Sequence, residues 1–207
     1  MRKLLLISNP KAGTNRATEV AKKALQFFQS HQVSCQLEET TADRNAQKVA
    51  EAHLTNDYTD LVVIGGDGTV NEAVNGMGPY QPALSILSSG TGNDCIKNIH
   101  IGKKLDEQLD TVLNGRDLEI DLGLCNGRKF LNGVGVGFDG QIVRDMLHRK
   151  IWLTGHAAYY YHVLRILASY KERLFDFSLD GVRKEKELIL NSRAVPGEVN
   201  HEVLQTD

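Results

Sequence analysis

A carboxylate set between two glycines, Gly66-Asp67-Gly68, is the most chemically pointed feature of the chain. It lies within Asp60–Glu72 (DLVVIGGDGTVNE), with Gly65 before it and Thr69, Asn71 and Glu72 after it. Leu61, Val62, Val63 and Ile64 form a continuous apolar run, which suits a short strand covered on both faces. Val70, Ala73, Val74 and Met77 then recur at helical spacing, so a helix opens where the glycines end. A strand feeding a glycine turn that starts a helix is an arrangement for holding phosphate. Glycine lets the backbone approach closely, and a helix N-terminus offers unpaired N–H groups and the positive end of the dipole. A carboxylate in an anion cradle makes sense where a divalent metal or a hydroxyl shares the site.

Two other loops have related chemistry. Asn9-Pro10-Lys11-Ala12-Gly13 follows the apolar run Leu4–Ile7, and Ser88-Ser89-Gly90-Thr91-Gly92-Asn93-Asp94 follows Ala83–Leu87. Taken alone, the first reads as a turn more readily than as a phosphate loop, and Asp94 reads equally well as a helix cap. The elements that position them decide between these readings. Strands are expected at 3–8, 33–40, 60–64 and 83–87. Helices are expected from about Asn15 (capped by Thr14 or Asn15), from near Asp43, from the end of the central glycines, and over Leu105–Leu113. His53 falls on an apolar helix face and reads as a packed boundary residue. The alternating order predicts an α/β domain with a parallel sheet and helices on both faces. Such sheets bind ligands beyond the carboxyl ends of their strands. All three loops fall there and are expected to converge.

From Leu118 the character changes. Leu118–Leu124 and Lys129–Val136 read as strands joined at Asn126-Gly127. A helix around Ile142, Val143 and Met146 follows, then an aromatic-rich helix over Ala157–Tyr170. Leu174–Leu179 and Glu187–Leu190 read as a hairpin around Asp180-Gly181. The expected division is an α/β domain at 1–122 and a β-rich domain at 123–207. Asn191–Asp207 has no convincing period, so the β domain is expected to be cut short. Gly135-x-Gly137-x-x-Gly140 formally matches a dinucleotide fingerprint but lacks the later acid and the βαβ setting, which favours close backbone packing. Trp152 with Tyr159, Tyr160 and Tyr161 reads either as a lipid-facing surface or as a core helix of the β domain. Arg144, His148, Arg149 and Lys150 form a short basic run that reads as a solvated face or as a headgroup contact.

The 207 residues carry 41% hydrophobic and 24% charged positions with a formal net charge of -2, which points away from nucleic acid. Cys35, Cys95 and Cys125 are widely spaced and fit reduced thiols in a cytoplasmic protein. MRKLLLIS imitates a leader, but its apolar run ends at Ser8-Asn9-Pro10.

Quoted in order, Asn9–Gly13, Gly65–Glu72, Ser89–Asp94 and Asn132–Asp139 (NGVGVGFD) resemble the diacylglycerol kinase catalytic domain, and most closely its bacterial lipid kinases. The resemblance implies a nucleotide-binding α/β domain followed by a β-sandwich. It also implies transfer of the γ-phosphate of ATP, with Mg²⁺, to the hydroxyl of diacylglycerol or a related lipid. The family's nucleotide contacts fall on Asn9, Pro10, Lys11 and Gly13, on Thr40, on Gly65, Gly66, Asp67, Gly68, Thr69, Asn71 and Glu72, and on Gly90, Thr91, Asn93 and Asp94. Asp67 takes a metal-linked catalytic role. ATP and a lipid are the implied partners, with transient contact at a membrane surface, and a homodimer is compatible. Asn45 stands near a usual glycine and is expected to tolerate positive φ. The family's later Asp-Gly-Glu, whose glutamate is the proposed general base, is not found; Asp180-Gly181-Val182 lies too early and lacks the glutamate. The alternatives are a catalytically dead nucleotide-binding fragment and a NAD kinase relative, the latter disfavoured by Asn71-Glu72 and the Gly-Thr-Gly-Asn-Asp loop. Phosphofructokinase-like loops are disfavoured on the same residues.

Overall fold

The computed structural model describes residues 2–13, 16–89, 93, 104–149, 151–153, 155–171, 173–179, 181–189 and 191–194. Cys95, Gly90–Gly92, Asp94 and the caps Thr14 and Asn15 lie outside the described residues. The chain divides into two compact units, Met1–Glu119 and Ile120–Asp207.

In the first unit, β1 (Lys3–Ser8), β2 (Ser34–Glu39), β3 (Asp60–Gly65) and β4 (Ala83–Ser88) form a sheet in the order β2-β1-β3-β4. Every pairing is parallel. The apolar runs predict which strands are central: Leu4–Ile7 and Leu61–Ile64 are fully buried. Alternation along each strand then assigns the faces. Leu4, Leu6, Val62 and Ile64 share one core with α1 (Arg16–Ser30) and α4 (Leu105–Asn114), through Ala17, Val20, Ala24, Phe28, Leu109 and Val112. The intervening residues face the opposite way. On that side α2 (Ala46–His53) and α3 (Asp67–Gly76) approach so closely that a Cβ on Gly76 would lie 2.4 Å from the Gln47 carbonyl oxygen.

One helix boundary differs from the sequence expectation. The second helix begins at Ala46 rather than near Asp43, because Asn45 is its N-cap and its side chain accepts from the Lys48 N–H at 3.1 Å. Asn45 has φ of -72°, so no left-handed conformation is involved and its capping chemistry accounts for it. His53 is a boundary residue: its Nε2 lies 3.4 Å from Glu38 Oε2, and its Nδ1 lies 3.3 Å from Gln36 Nε2.

The amino terminus is clamped electrostatically. Asp60 is 2% exposed and accepts from Arg2 Nε at 2.9 Å and 3.1 Å, while Arg2 Nη1 donates to the Leu113 carbonyl at 2.8 Å. Asp60 also accepts from the Thr59 hydroxyl at 2.6 Å. The Asp60 carboxylate pushes the Arg2 guanidinium pKa up against the opposing effect of burial. One residue thus ties the start of β1 to β3 and to the end of α4.

The second unit opens with a hairpin of β5 (Gly123–Cys125) and β6 (Arg128–Phe130). Its turn residues Asn126 and Gly127 have φ of 49° and 75°, as a type I′ turn requires. β7 (Val134–Gly137) leads into α5 (Phe138–His148), followed by α6 (Gly155–Ser169) and the antiparallel β8 (Arg173–Leu179) and β9 (Val182–Ile189). β10 (Asn191–Ala194) pairs antiparallel with β7.

Three expectations are corrected here. Residues 118–122 are not strand: Leu118 and Ile120 stand exposed, and alternation alone supplies no pairing partner. The expected strand over Lys129–Val136 is two strands, interrupted by a bend at Leu131-Asn132. Asn191–Ala194, which has no local pattern, is a strand because β7 supplies its hydrogen bonds. The antiparallel partner of β7 also excludes the dinucleotide fingerprint, whose strand must be parallel. Gly135 and Gly140 serve close packing instead, with a Cβ on Gly140 falling 3.3 Å from the Gly135 carbonyl oxygen.

A polar cluster joins α5 to α6. Asp145 accepts from Arg165 Nη1 at 2.6 Å and lies 2.7 Å from His162 Nδ1, with Arg149 Nε at 3.7 Å. The hydrogen bond to His162, reinforced by Arg165, holds the Asp145 carboxyl below its usual range.

Two predictions follow from these ties. Arg2→Ala leaves the buried Asp60 carboxylate without its main partner and should cost about 2 kcal/mol in denaturant unfolding at neutral pH. Because the folded-state pKa of Asp145 is depressed, its contribution is complete above the unfolded value and is lost as pH falls through the folded one. Asp145→Asn should therefore lower the unfolding midpoint at pH 7, with the gap to the parent protein closing below about pH 4.

Candidate functional site

The sheet order locates a ligand crevice before any side chain is considered. After β1 the chain turns toward β2, and after β3 it turns toward β4 on the other side. The two departing loops therefore diverge at the β1/β3 boundary, the topological switch point of an open parallel sheet. The loop after β1 carries Asn9–Gly13, and the loop after β3 carries Gly65–Thr69.

Asn9 joins them. Its backbone N–H donates to the Ile64 carbonyl at 3.0 Å, and its side-chain Nδ2 donates to Thr69 Oγ1 at 3.1 Å. Its Oδ1 accepts from the Lys11 N–H at 3.1 Å, and its carbonyl accepts from the Ala12 N–H at 2.9 Å. Pro10 sits inside this turn and contributes no N–H that would need a partner. Lys11 is exposed at the rim.

The third loop is brought in at its start. The Ser89 N–H donates to the Gly65 carbonyl at 3.1 Å. Gly13 has φ of 60° and passes so near Ser89 that a Cβ would lie 1.7 Å from its carbonyl oxygen. Of the third-loop residues expected at the site, Gly90, Thr91 and Asp94 lie outside the described residues, and Asn93 is described with φ of 53°. Thr40 follows β2 and donates its N–H to the Ser8 carbonyl at 2.8 Å, beside the first loop.

The glycines of the central motif do different work. Gly65 packs under Thr69, whose Cβ would be 2.6 Å from an added Cβ. Gly66 is the N-cap of α3 and makes no side-chain cap hydrogen bond. Gly68 is exposed, and a Cβ there would meet nothing within 4 Å among the described residues. Nothing among the described residues demands a glycine at that position, whereas close approach of a ligand would. Asp67, half-buried, stands in the same first turn.

Two expected contacts have structural duties. Thr69 is buried and its hydroxyl receives the Asn9 amide. Glu72 reaches the other way, accepting the Ala46 N–H at 3.1 Å at the start of α2. Asn71 lies one residue before it on α3, and its carbonyl accepts from Asn75 Nδ2 at 2.8 Å.

Some features of this end of the sheet were not singled out from sequence. Ser8 and Ser89 bury hydroxyls without a hydrogen-bond partner among the described residues. Gln108 on α4 is buried and brackets Ser88, accepting its N–H at 3.2 Å and donating to its Oγ at 3.1 Å. A cavity of about 220 Å³ opens there between α1 and α4, with Arg16 and Lys23 on its wall. A buried glutamine on an amphipathic helix was the one available signal.

This geometry, three strand-end loops tied together around a glycine-capped helix start, coincides with a match to the diacylglycerol kinase catalytic domain over residues 3–125. The chain belongs to that family. It is 28% identical over 193 residues to a diacylglycerol kinase of Bacillus subtilis, covering 92% of this chain and 64% of that protein. A Staphylococcus aureus diacylglycerol kinase is 31% identical over 143 residues, covering 68% of this chain and 45% of the relative. A crystal structure of a diacylglycerol kinase from Bacillus anthracis aligns with TM-score 0.68 at 25% identity, covering 93% of this chain and 63% of that one. The chain therefore spans less than two thirds of the length of these relatives. Family membership makes it a kinase-family chain whose α/β unit carries the matched motifs.

The Gly13–Ser89 approach gives a test of loop convergence. Gly13→Ala places a Cβ inside the Ser89 carbonyl at a left-handed position, and should lower stability by more than about 1 kcal/mol. Amide exchange should rise at the N–H groups of Asn9, Ala12 and Ser89 together, whereas independent loops would respond only at the first two.

Proposed function

We propose that this chain binds ATP at the β1/β3 switch point and serves a lipid kinase reaction, transfer of the γ-phosphate to the hydroxyl of diacylglycerol or a related lipid. The observation that carries this reading is the space that the described residues leave beside Gly68, at a glycine-capped helix start braced by Asn9 and Thr69. Phosphoryl transfer asks a protein mainly for positioning and charge neutralisation. The first-turn N–H groups of α3 and the Asn9–Gly13 backbone would receive phosphate oxygens. Lys11 at the rim would add positive charge, and Thr40 and Thr91 would help place the nucleotide. Asn9, Thr69 and Glu72 would act at one remove, by holding the cradle in shape.

The residues present fit Mg²⁺ as a phosphate-borne ion. Magnesium is commonly held by one or two carboxylates together with substrate phosphates, and no group of three metal-binding side chains occurs among the described residues. Asp67 would hold it, directly or through a water. When bound, the ion would supply charge neutralisation on the transferring phosphoryl group.

The family match over residues 3–125 covers the α/β unit with its glycine loops, which favours as a second reading nucleotide binding without turnover. Two variants separate the outcomes. Asp67→Ala should reduce ATP- and Mg²⁺-dependent phosphorylation of dispersed diacylglycerol by about 100-fold or more. Gly68→Ala should stabilise the fold by about 0.5 kcal/mol while weakening ATP binding roughly tenfold, because its methyl group occupies the space a phosphate would use. ATP binding sensitive to Gly68→Ala but without turnover supports the second reading. Turnover indifferent to both changes overturns the site.

A further inference from the structure

We propose that Gln108 is a positioning residue for the nucleotide site. From α4 it fixes the point where β4 releases the third loop, and so sets the affinity for ATP through Ser88 and Ser89. The proposal rests on the ATP-binding reading for its ligand, and on the hydrogen bonds around Ser88 for its geometry.

β4 lies at the edge of the sheet, with β3 on one side and no strand on the other among the described residues. Successive residues of a strand direct their backbone groups to opposite sides. The Ser89 N–H meets the Gly65 carbonyl on the β3 side at 3.1 Å, so the Ser88 N–H points to the open edge. There Gln108 Oε1 accepts it at 3.2 Å, and Gln108 Nε2 donates to Ser88 Oγ at 3.1 Å. A side-chain amide carries the donor and the acceptor of a peptide group. Gln108 therefore takes the place of a fifth strand, at the last residue of β4 only. The post is rigid: Gln108 is 3% exposed, and Leu109 and Val112 of the same helix are packed in the core. Glu107 Oε2 accepts the Lys104 N–H at 3.2 Å, which closes the first turn of α4. A buried glutamine is unfavourable on an inner helix face unless its amide is paired, and here the pairing is made where the loop begins.

The effect reaches the candidate site through Ser89. Its buried hydroxyl has no hydrogen-bond partner among the described residues, so its own side chain does not anchor it. Its position comes from Ser88 before it and from Gly65 beside it. Gly13 passes the Ser89 carbonyl with no room for a Cβ, and the Gly13 carbonyl in turn accepts the Arg16 N–H at 3.3 Å at the start of α1. A shift of Ser88 is thus passed to the first loop as well as the third. Thr91, given a part in placing the nucleotide, follows Ser89 by two residues.

ATP affinity of the full chain is measured by calorimetry, with amide exchange in parallel, at a temperature where each variant is folded. Gln108→Met keeps the side-chain length and removes both bonds. It should weaken ATP about tenfold and raise exchange at the Ser89 and Asn9 N–H groups. Ser88→Ala removes only the hydroxyl bond and should weaken ATP about threefold. Val112→Ala, a core change one turn along α4, should lower the unfolding midpoint and leave ATP affinity and both amides unchanged. Equal affinity in the parent and Gln108→Met, unchanged exchange at Ser89, or an equal loss in Val112→Ala each overturns the proposal. Where Gln108→Met does not fold, Ser88→Ala against Val112→Ala decides the same question. A parent chain that binds no ATP, with exchange still raised in Gln108→Met, removes the ATP reading and leaves the coupling of the loops. ATP binding indifferent to Gln108 and Ser88 removes the positioning role alone.

Discussion

The side chain and backbone of Asn9 make the hydrogen bonds on which the candidate site depends. Four polar groups of this residue are engaged at once, with Ile64, Thr69, Lys11 and Ala12. The amide donates to Thr69 and accepts from the Lys11 N–H, a combination that a carboxylate cannot reproduce because it has no donor. Glutamine has both groups but would carry them one methylene farther. The consequence is mechanical: the first loop, the end of β3 and the first turn of α3 shift together or not at all. Gly13 extends that coupling to Ser89, so the start of the third loop is included.

The glycines of the central motif separate internal from external constraint. Gly65 is required by the fold, because Thr69 already fills the space where a Cβ would go. Gly68 has no such neighbour among the described residues, and its backbone is not in the left-handed region that favours glycine. Alanine would stabilise this helix start relative to glycine, and under the proposed function the open side of Gly68 is where a phosphate would approach. Asp67 is consistent with the same proposal. A carboxylate near a helix N-terminus is favourable by itself, but it opposes a phosphate at that position unless a cation accompanies it.

What was legible in the sequence was local. Leu4–Ile7 and Leu61–Ile64 identified the central strands because burial on both faces leaves an unbroken apolar run. Val20, Ala24 and Phe28 identified the inner face of α1 because helical periodicity records it directly. The glycine loops could be expected to converge because parallel topology puts every strand's carboxyl end on one side. What escaped was set by partners distant in sequence. Residues 118–122 alternate as a strand should, yet alternation carries no information about whether another strand lies alongside. Asn191–Ala194 shows the converse, a strand with no local pattern made by the free edge of β7. The duties of Glu72 and Thr69 belong to the same class. Their motif marks them as site residues, and only the fold shows one capping α2 and the other receiving Asn9.

Glu72 shows why a binding motif can extend beyond the residues that touch a ligand. Its carboxylate meets the Ala46 N–H at the start of α2, next to the Asn45 cap, so two acceptors satisfy that helix start. Because Glu72 is on α3, the start of α2 and the helix that opens the proposed phosphate cradle are fixed to one another, and Gly76 lets the same two helices pack closely one turn later. α3 is thereby held at both ends: Thr69 connects its first turn to the β1 loop, and Glu72 and Gly76 connect its remainder to α2. A ten-residue helix is too short to be stable alone in water. Its orientation, and with it the direction of its first-turn N–H groups, comes from those attachments. Under the proposed function the run from Gly65 to Glu72 is a cradle and its mounting written as one stretch, which accounts for polar residues such as Thr69 and Glu72 that bond within the fold.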